Sequence, residues 1–256
     1  QLTYEDVDNI LEGNCNKYSQ ETINTILKLE KCYQKFKVFN RIDVNTISVS
    51  HKIIEEFMIH SNKSIAKILD NSLYRHHALP YPNKAGYLQR FIGYQLKQII
   101  PIEINSLQKF IEIIPQKKTL QYLTKHMMSK AVYTLEEKSH WALNEDYYTH
   151  FTSPIRRASD IIVHYDLLKN TNYIKNKSDY ISEVNNAEDI QNNIEVIINE
   201  LNKRRNLKIK NYNSCITKVT TKGIECYIPE LEMVYYIHIS KCSNEYLEYQ
   251  NGELKG

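Results

Sequence analysis

The chain has 256 residues, 42% of them hydrophobic and 25% charged, with only 6 Gly and 6 Pro, which describes an ordinary globular chain of one or two domains and excludes a disordered, collagenous or low-complexity one. Its 33 basic and 30 acidic residues leave a net charge of +3, so any polyanion-binding surface must be a local patch. Five cysteines without C-x-x-C spacing point to reduced thiols in a cytoplasmic or nuclear compartment, and no apolar run approaches the ~18 residues of a membrane span. Gln1 opens directly into polar sequence and the chain lacks an initiator Met, so it is expected to begin inside a longer protein.

Taken in order, residues 3–36 read as helical, with Thr3 as N-cap, Glu5 and Asp6 in the first turn, and a break at Gly13 and Asn14 before a second helix, Gln20 to Phe36. Residues 37–50 read as a strand or extended connector. Ile54, Met58, Ser61, Ile65 and Leu69 mark one face of the next helix, roughly 20 residues long. Pro80 and Pro82 then break helicity, because neither donates a hydrogen bond and each forces its predecessor toward extended backbone. Helical periodicity returns over 84–98, 104–113 and 117–134, separated by Pro101 and Pro115. Ser153 as N-cap and Pro154 at the first helical position open another helix, and 184–205 form a last one ending in Lys203-Arg204-Arg205. Beyond residue 206 the text turns β-rich in SCITKV, GIECYI and MVYYIHIS. A five-stranded barrel takes ~70 residues, so this β unit is expected to stop before closure.

The most informative stretch is Tyr148-Thr149-His150-Phe151-Thr152-Ser153-Pro154-Ile155-Arg156-Arg157. The free N–H groups and dipole of a helix start favour an anion, and two arginines in that first turn would hold a phosphate bidentately. An arginine pair on a solvated helix start fits the same spacing.

The run HWALNEDYYTHFTSPIRRASDIIVHYDLL resembles the C-terminal signature of the ribonuclease II and ribonuclease R family, in particular its eukaryotic, exosome-associated branch. Other segments follow in the family's order. Leu2-Thr3-Tyr4-Glu5-Asp6-Val7 is similar to its L-S/T-Y-x-x-A/V segment, and Glu55-Glu56-Phe57-Met58 with Asn62 and Ala66 to its E-E-x-M helix. Leu73-Tyr74-Arg75-His76-His77 with Pro80 resembles its L-Y-R-x-H-x-x-P turn, His126 to Tyr133 the helix before the signature, and Ile216-Thr217-Lys218-Val219 with Gly223 to Pro229 the opening of an S1-type barrel.

The resemblance implies an α+β chain: the mainly helical C-terminal part of an RNB catalytic domain over residues 1–205, then the start of an S1/OB-type RNA-binding barrel over 206–256. It implies a hydrolytic 3'-to-5' exoribonuclease that threads single-stranded RNA and releases nucleoside 5'-monophosphates, with Mg²⁺ held by a cluster of aspartates. The family's catalytic arginine falls on Arg156, which would neutralise charge developing on the scissile phosphate. Tyr4, Glu55 and Glu56 would lie near the 3'-terminal nucleotide, with His150, Ser153 and Arg157 as further RNA-binding or turn-shaping candidates. Single-stranded RNA and an exosome-like complex are the implied partners, and a membrane is not.

Departures from the family pattern qualify that expectation. The aspartate cluster lies upstream of the tyrosine segment in the family, and Asp43, Asp70, Asp146, Asp160, Asp166, Asp179 and Asp189 are too scattered to replace it. The metal ligands are therefore expected outside this chain, with no metal-binding residue in it. Ala158 stands where the family usually has Tyr, the connection from Phe39 to Ser50 is short, and the segment from Arg205 to Cys215 is compressed. A catalytically inactive RNA-binding or scaffold protein of the same family is the first alternative, and a helical interaction module the second.

Weaker candidates remain. His76 and His77 are adjacent, so their side chains diverge, which suits packing better than metal ligation. His140 with Trp141 would stack on a base or sit in the core. Lys203, Arg204, Arg205, Lys208 and Lys210 suit an RNA backbone or a solvated helix end. Tyr227, Tyr235 and Tyr236 suit a stacking face or a strand core.

Overall fold

The computed structural model describes residues 2–36, 48–97, 117–169, 176–205, 207–208, 210–241, 248–250 and 253–255. It is mainly helical with small antiparallel sheets, and it divides into two compact units, Gln1–Ala78 with Lys130–Asn185 and Leu79–Ser129 with Asn186–Gly256. Most of the predicted connector 37–50 and all of the predicted helix 104–113 lie outside the described residues. Among the described residues no helix is long and apolar enough to cross a membrane, and Cys15, Cys32, Cys215 and Cys226 are free.

In the first unit, α1 (Tyr4–Leu11) begins as its sequence dictates. Thr3 Oγ1 accepts the Asp6 N–H at 3.1 Å and Asp6 Oδ2 accepts the Thr3 N–H at 2.8 Å, a reciprocal pair that satisfies two orphan donors. Ser19 Oγ serves α2 (Gln20–Phe36) in the same way, accepting the Thr22 N–H at 3.2 Å. Ile10, Ile23 and Ile26 are buried together between these helices, with Val7, Leu11 and Tyr18 packed on them.

α3 (Val49–Ile68) departs from the predicted face. Its buried residues are Ser50, Ile53, Glu56, Ile59, Asn62 and Ala66, while Ile54 is 46% exposed. The stripe contains polar residues that are buried because they bond across to other elements, a signal that apolar periodicity does not carry. Ser50 donates its N–H and hydroxyl to Asp8 Oδ1 and Oδ2 at 2.9 and 2.8 Å, so a carboxylate on α1 supplies the N-terminal acceptor that Ser48 does not.

Two further corrections concern strands. β1 (Tyr74–His76) pairs antiparallel with β2 (Val132–Thr134), placing Arg75 opposite Tyr133. The helix predicted over 117–134 therefore ends at Met127. Tertiary partners decide this: Asn185 Oδ1 accepts the Tyr133 N–H at 2.8 Å and Asn185 Nδ2 donates to the Tyr133 carbonyl at 3.1 Å, occupying backbone groups that a helix would use. Leu69, Leu73, Tyr133, Ile162 and Val163 form a second core here. It lies under α6 (Ala158–Leu167) and the first turns of α7 (Lys177–Arg205), which contribute Ile181 and Val184. α7 starts seven residues before the predicted 184. Every residue from Ile190 to Asn202 is exposed.

In the second unit, the helix predicted over 84–98 is α4 (Pro82–Leu96), and Pro82, read as a breaker, is its first residue because a missing N–H costs nothing there. It packs on α5 (Lys117–Met127), with Leu88, Ile92, Leu120 and Met127 buried. β3 (Cys215–Thr220), β4 (Gly223–Ile228) and β5 (Met233–His238) form an antiparallel meander in sequence order, at the positions read from the β-rich text. A Cβ at Gly223 would lie 2.1 Å from the Ile237 carbonyl oxygen, so only glycine admits this close strand approach. β6 (Glu248–Gln250) and β7 (Glu253–Lys255) make a separate hairpin. Tyr227 is buried and stacked on Tyr122 at 4.3 Å and 11°, a core role, whereas Tyr235 and Tyr236 are exposed.

Burial sets opposite expectations for two isoleucines. Ile10→Ala should lower the unfolding free energy by about 2–4 kcal/mol, because it empties a packed site. Ile194→Ala should change it by less than about 0.5 kcal/mol, because that side chain is exposed. Urea titrations of the two variants check both.

Candidate nucleic-acid interface

The chain between Tyr148 and Ala158 has little regular structure, so its backbone groups need partners from elsewhere. Arg75 donates its N–H to the Tyr148 carbonyl at 2.7 Å, extending from β1, and Thr149 Oγ1 donates to the Leu73 carbonyl at 2.5 Å. Asn62 Oδ1 accepts from the N–H groups of Phe151 and Thr152. His164 Nε2 bonds the Phe151 carbonyl at 2.9 Å while its ring stacks on Phe151 at 4.3 Å.

Asp160 then fixes the arginines. It has no exposed surface, accepts the Ser153 N–H at 2.8 Å, and holds the Arg157 guanidinium through Nε and Nη2 at 2.7 and 2.9 Å. This corrects the predicted helix start. Ser153 is not an N-cap and Pro154 is not the first helical residue; Ser153 to Arg156 form a turn closed by the Arg156 N–H on the Ser153 carbonyl at 3.3 Å, and α6 begins at Ala158 with Arg157 as N-cap. The physical reason is Asp160, in the first turn of α6: a carboxylate is favoured there by the dipole, and this one reaches back to capture the turn.

The arginines consequently divide their work. Arg157 is half-buried and its charge is matched by Asp160. Arg156 is exposed at the tip of the turn beside a wholly exposed Ile155, and among the described residues no carboxylate is paired with it. Arg75, buried, lies over the Tyr133 ring at 4.4 Å. Ala158, exposed, opens α6.

His150 sits between these groups as a neutral imidazole. Ser159 Oγ donates to Tyr133 Oη at 2.9 Å, which leaves the phenol hydrogen to His150 Nδ1 at 2.6 Å and assigns the imidazole proton to Nε2. Burial first, then the charges of Arg157 and Arg75, push its pKa down to about 2. Burial and the neighbouring His77 push His140 down to about 3. Near neutral pH both rings are therefore uncharged, and the exposed Arg156 guanidinium supplies a positive charge that suits a phosphate.

The structure places Ser153 and Arg156 in one turn, with Arg157 directly after it and His150 three residues before it. Glu55, half-buried, and Glu56, buried, lie on α3, six to seven residues before Asn62 and so about 10 Å along its axis. Tyr4 is elsewhere: it is 46% exposed and stacked on His51 at 3.8 Å, at the N-terminal end of α3, about 16 Å along that helix from Asn62. His76 and His77 pack as read from their adjacency, His76 Nδ1 on the Ser139 carbonyl at 2.8 Å and His77 Nδ1 accepting the Ala142 N–H at 3.3 Å. Trp141 is half-buried, edge-on to His77. Sequence reasoning gave Arg75, Tyr133, Asn62 and Asp160 no role in this cluster. Their partners are 17 to 90 residues away or on the far side of a turn, and only their places in the family-like motifs marked them at all.

Among the described residues no group of three or more His, Cys, Asp or Glu is placed to hold a metal ion. Asp160 is engaged with Ser153 and Arg157, and Asp166 with Lys177 and Ser72. Among the described residues, the acidic side chains do not make a magnesium site.

Comparison with known proteins gives a consistent result. Residues 1–173 match the RNB domain. Ribonuclease R of Aquifex aeolicus is 37% identical over 126 residues, covering 45% of this chain and 18% of that protein. The fold superposes on the apo form of Mycoplasma genitalium RNase R with a TM-score of 0.76 at 20% identity, covering 99% of this chain and 48% of that one. It also superposes on yeast Ssd1, a pseudonuclease, with a TM-score of 0.66 at 17% identity, covering 93% and 35% respectively. The chain thus spans less than half the length of each.

The depressed histidines predict a pH dependence of stability. Each imidazole has a folded pKa of about 2 or 3, below its unfolded value near 6.5, so the unfolded state binds the proton first. Stability is therefore full above pH 6.5 and falls on acidification by up to about 1.4 kcal/mol per pH unit for each ring. Urea titrations at pH 7.5 and pH 5.5 should show the loss, and His150→Gln should reduce its slope.

Proposed function

Because the chain belongs to the RNB-domain family, matched over residues 1–173, we propose that it is the C-terminal part of a 3'-to-5' exoribonuclease acting on single-stranded RNA and releasing nucleoside 5'-monophosphates. The observation that carries this reading is the arginine turn: an exposed guanidinium, Arg156, on a rigid turn whose second arginine is neutralised by Asp160.

In this reading each group has a physical task. Arg156 keeps its charge at all working pH values and would neutralise charge developing on the scissile phosphate, without reorganising, because its turn is already fixed. Arg157 and Ser153 shape the turn through Asp160, and His150 contributes a neutral wall in place of a third full cation beside the arginines. The exposed ring of Tyr4 would contact a nucleotide base, with Glu55 and Glu56 toward the 3'-terminal nucleotide. A magnesium ion, when bound, would supply the activated water, and its ligands would come from aspartates outside this chain. Residues 1–205 would complete the RNB catalytic domain and 206–256 would begin an S1-type barrel, with Tyr235 and Tyr236 exposed on β5. Placement in the eukaryotic, exosome-associated branch, with cytoplasmic or nuclear action, rests on the signature run, and co-purification with an exosome-like complex tests it.

A catalytically inactive RNA-binding protein of the same family is a second reading. Ala158 favours it, since an exposed alanine stands where the family usually has Tyr; the fold shared with a pseudonuclease is compatible with it.

The experiment is degradation of 5'-labelled single-stranded RNA with Mg²⁺ by this chain and by the longest open reading frame that contains it. Stepwise shortening from the 3' end by the longer protein, reduced about 10²–10³-fold by Arg156→Ala, is the expected result. RNA binding without shortening by any form would establish the inactive reading.

A further inference from the structure

Three consecutive backbone N–H groups lead into the arginine turn, and all three are held by side-chain oxygens. Phe151 and Thr152 donate to Asn62 Oδ1 at 3.0 and 3.3 Å, and Ser153 donates to Asp160 at 2.8 Å. Asn62 is 2% exposed, and its Nδ2 donates to Tyr148 Oη at 2.9 Å, three residues before Phe151. One carboxamide thus grips both sides of the bend between Tyr148 and Thr152. A side chain needs an acceptor with two lone pairs and a donor to do this, which Asn supplies and an apolar residue of its size does not.

Asn62 belongs to α3, the helix that carries Glu55 and Glu56 and whose N-terminus is bonded to Asp8 of α1. We propose that Asn62 is the positioning residue that ties this helix to the turn bearing Arg156. Through it the helix fixes where the exposed guanidinium stands relative to the groups toward the 3'-terminal nucleotide. This role rests on the assignment of Arg156 to RNA phosphate. Asn62 touches no RNA itself; it acts by holding residues 151 and 152, from which the turn 153–156 continues.

A double-variant cycle tests it, read as the affinity of this chain for a fluorescein-labelled single-stranded oligo(A) by anisotropy at ~50 and ~200 mM KCl. Arg156→Ala is expected to weaken binding about 5- to 10-fold and to lower the salt slope by about 0.7, the value for one phosphate contact on a single strand. Asn62→Ala should weaken binding by a comparable factor with the same loss of slope, and the double variant should bind within about twofold of Arg156→Ala alone. Hydrogen exchange at the Phe151 and Thr152 amides should rise in Asn62→Ala while the α3 amides stay protected.

Multiplying losses in the double variant, or an unchanged salt slope in Asn62→Ala, would overturn the positioning role and leave the reading of Arg156 intact. No effect of Arg156→Ala on affinity or slope would overturn the reading and the role together. Should Asn62→Ala fail to fold, Asn62→Asp replaces it. That side chain keeps both acceptor bonds and lets the Tyr148 hydroxyl donate, so Arg156→Ala must then cost as much in the Asp background as in the parent. A loss of the Arg156 contribution in that background would refute the role.

Discussion

The buried carboxylate of Asp160 is the constraint on which the arginine turn depends. A fully buried charge is tolerated only when paired and hydrogen-bonded, and Asp160 meets that condition with the Arg157 guanidinium and the Ser153 N–H. The two bonds draw residues 153 and 157 toward one point, so the intervening chain has to bend outward and Arg156 projects from the bend. The same carboxylate decides where α6 begins. The anion-favouring feature is thus an exposed arginine on a fixed loop; the helix terminus read from the proline plays no part.

A second consequence is a division of charge. His140 and His150 are buried among cations and stay neutral over the physiological range, so the cluster does not accumulate further positive charge. Arg75 is placed on the Tyr133 face and Arg157 is matched by Asp160. Of the three arginines, Arg156 is the one exposed to solvent.

The helices distribute stability unevenly. α1, α2 and the middle of α3 share buried isoleucines, and α6 with the start of α7 close a second core. The rest of α7 is different: thirteen consecutive residues from Ile190 are exposed, several of them β-branched. A helix segment with solvent on every side rests on its propensity and on i,i+4 pairs such as Gln191 with Glu195, and Ile, Val and Asn contribute poorly to the propensity.

Much of the fold was legible in the sequence because it rests on local chemistry. Thr3 with Asp6 specifies the start of α1, the helical periodicity after Pro82 the body of α4, and the β-branched runs around Gly223 the meander β3-β4-β5. The ordered motifs also marked the Tyr148–Arg157 run as the place to look. What the tertiary structure alone decided were features built by partners distant in sequence. Asn185 turned Val132–Thr134 from helix into strand, Asp8 and the loop at 148–152 turned the polar residues Ser50 and Asn62 of α3 inward, and Asp160 moved a helix start from Ser153 to Ala158. Each of these rests on a buried polar group that must find a hydrogen-bond partner. Hydrophobic periodicity reports which residues avoid water, and it cannot report which polar groups will be satisfied away from it.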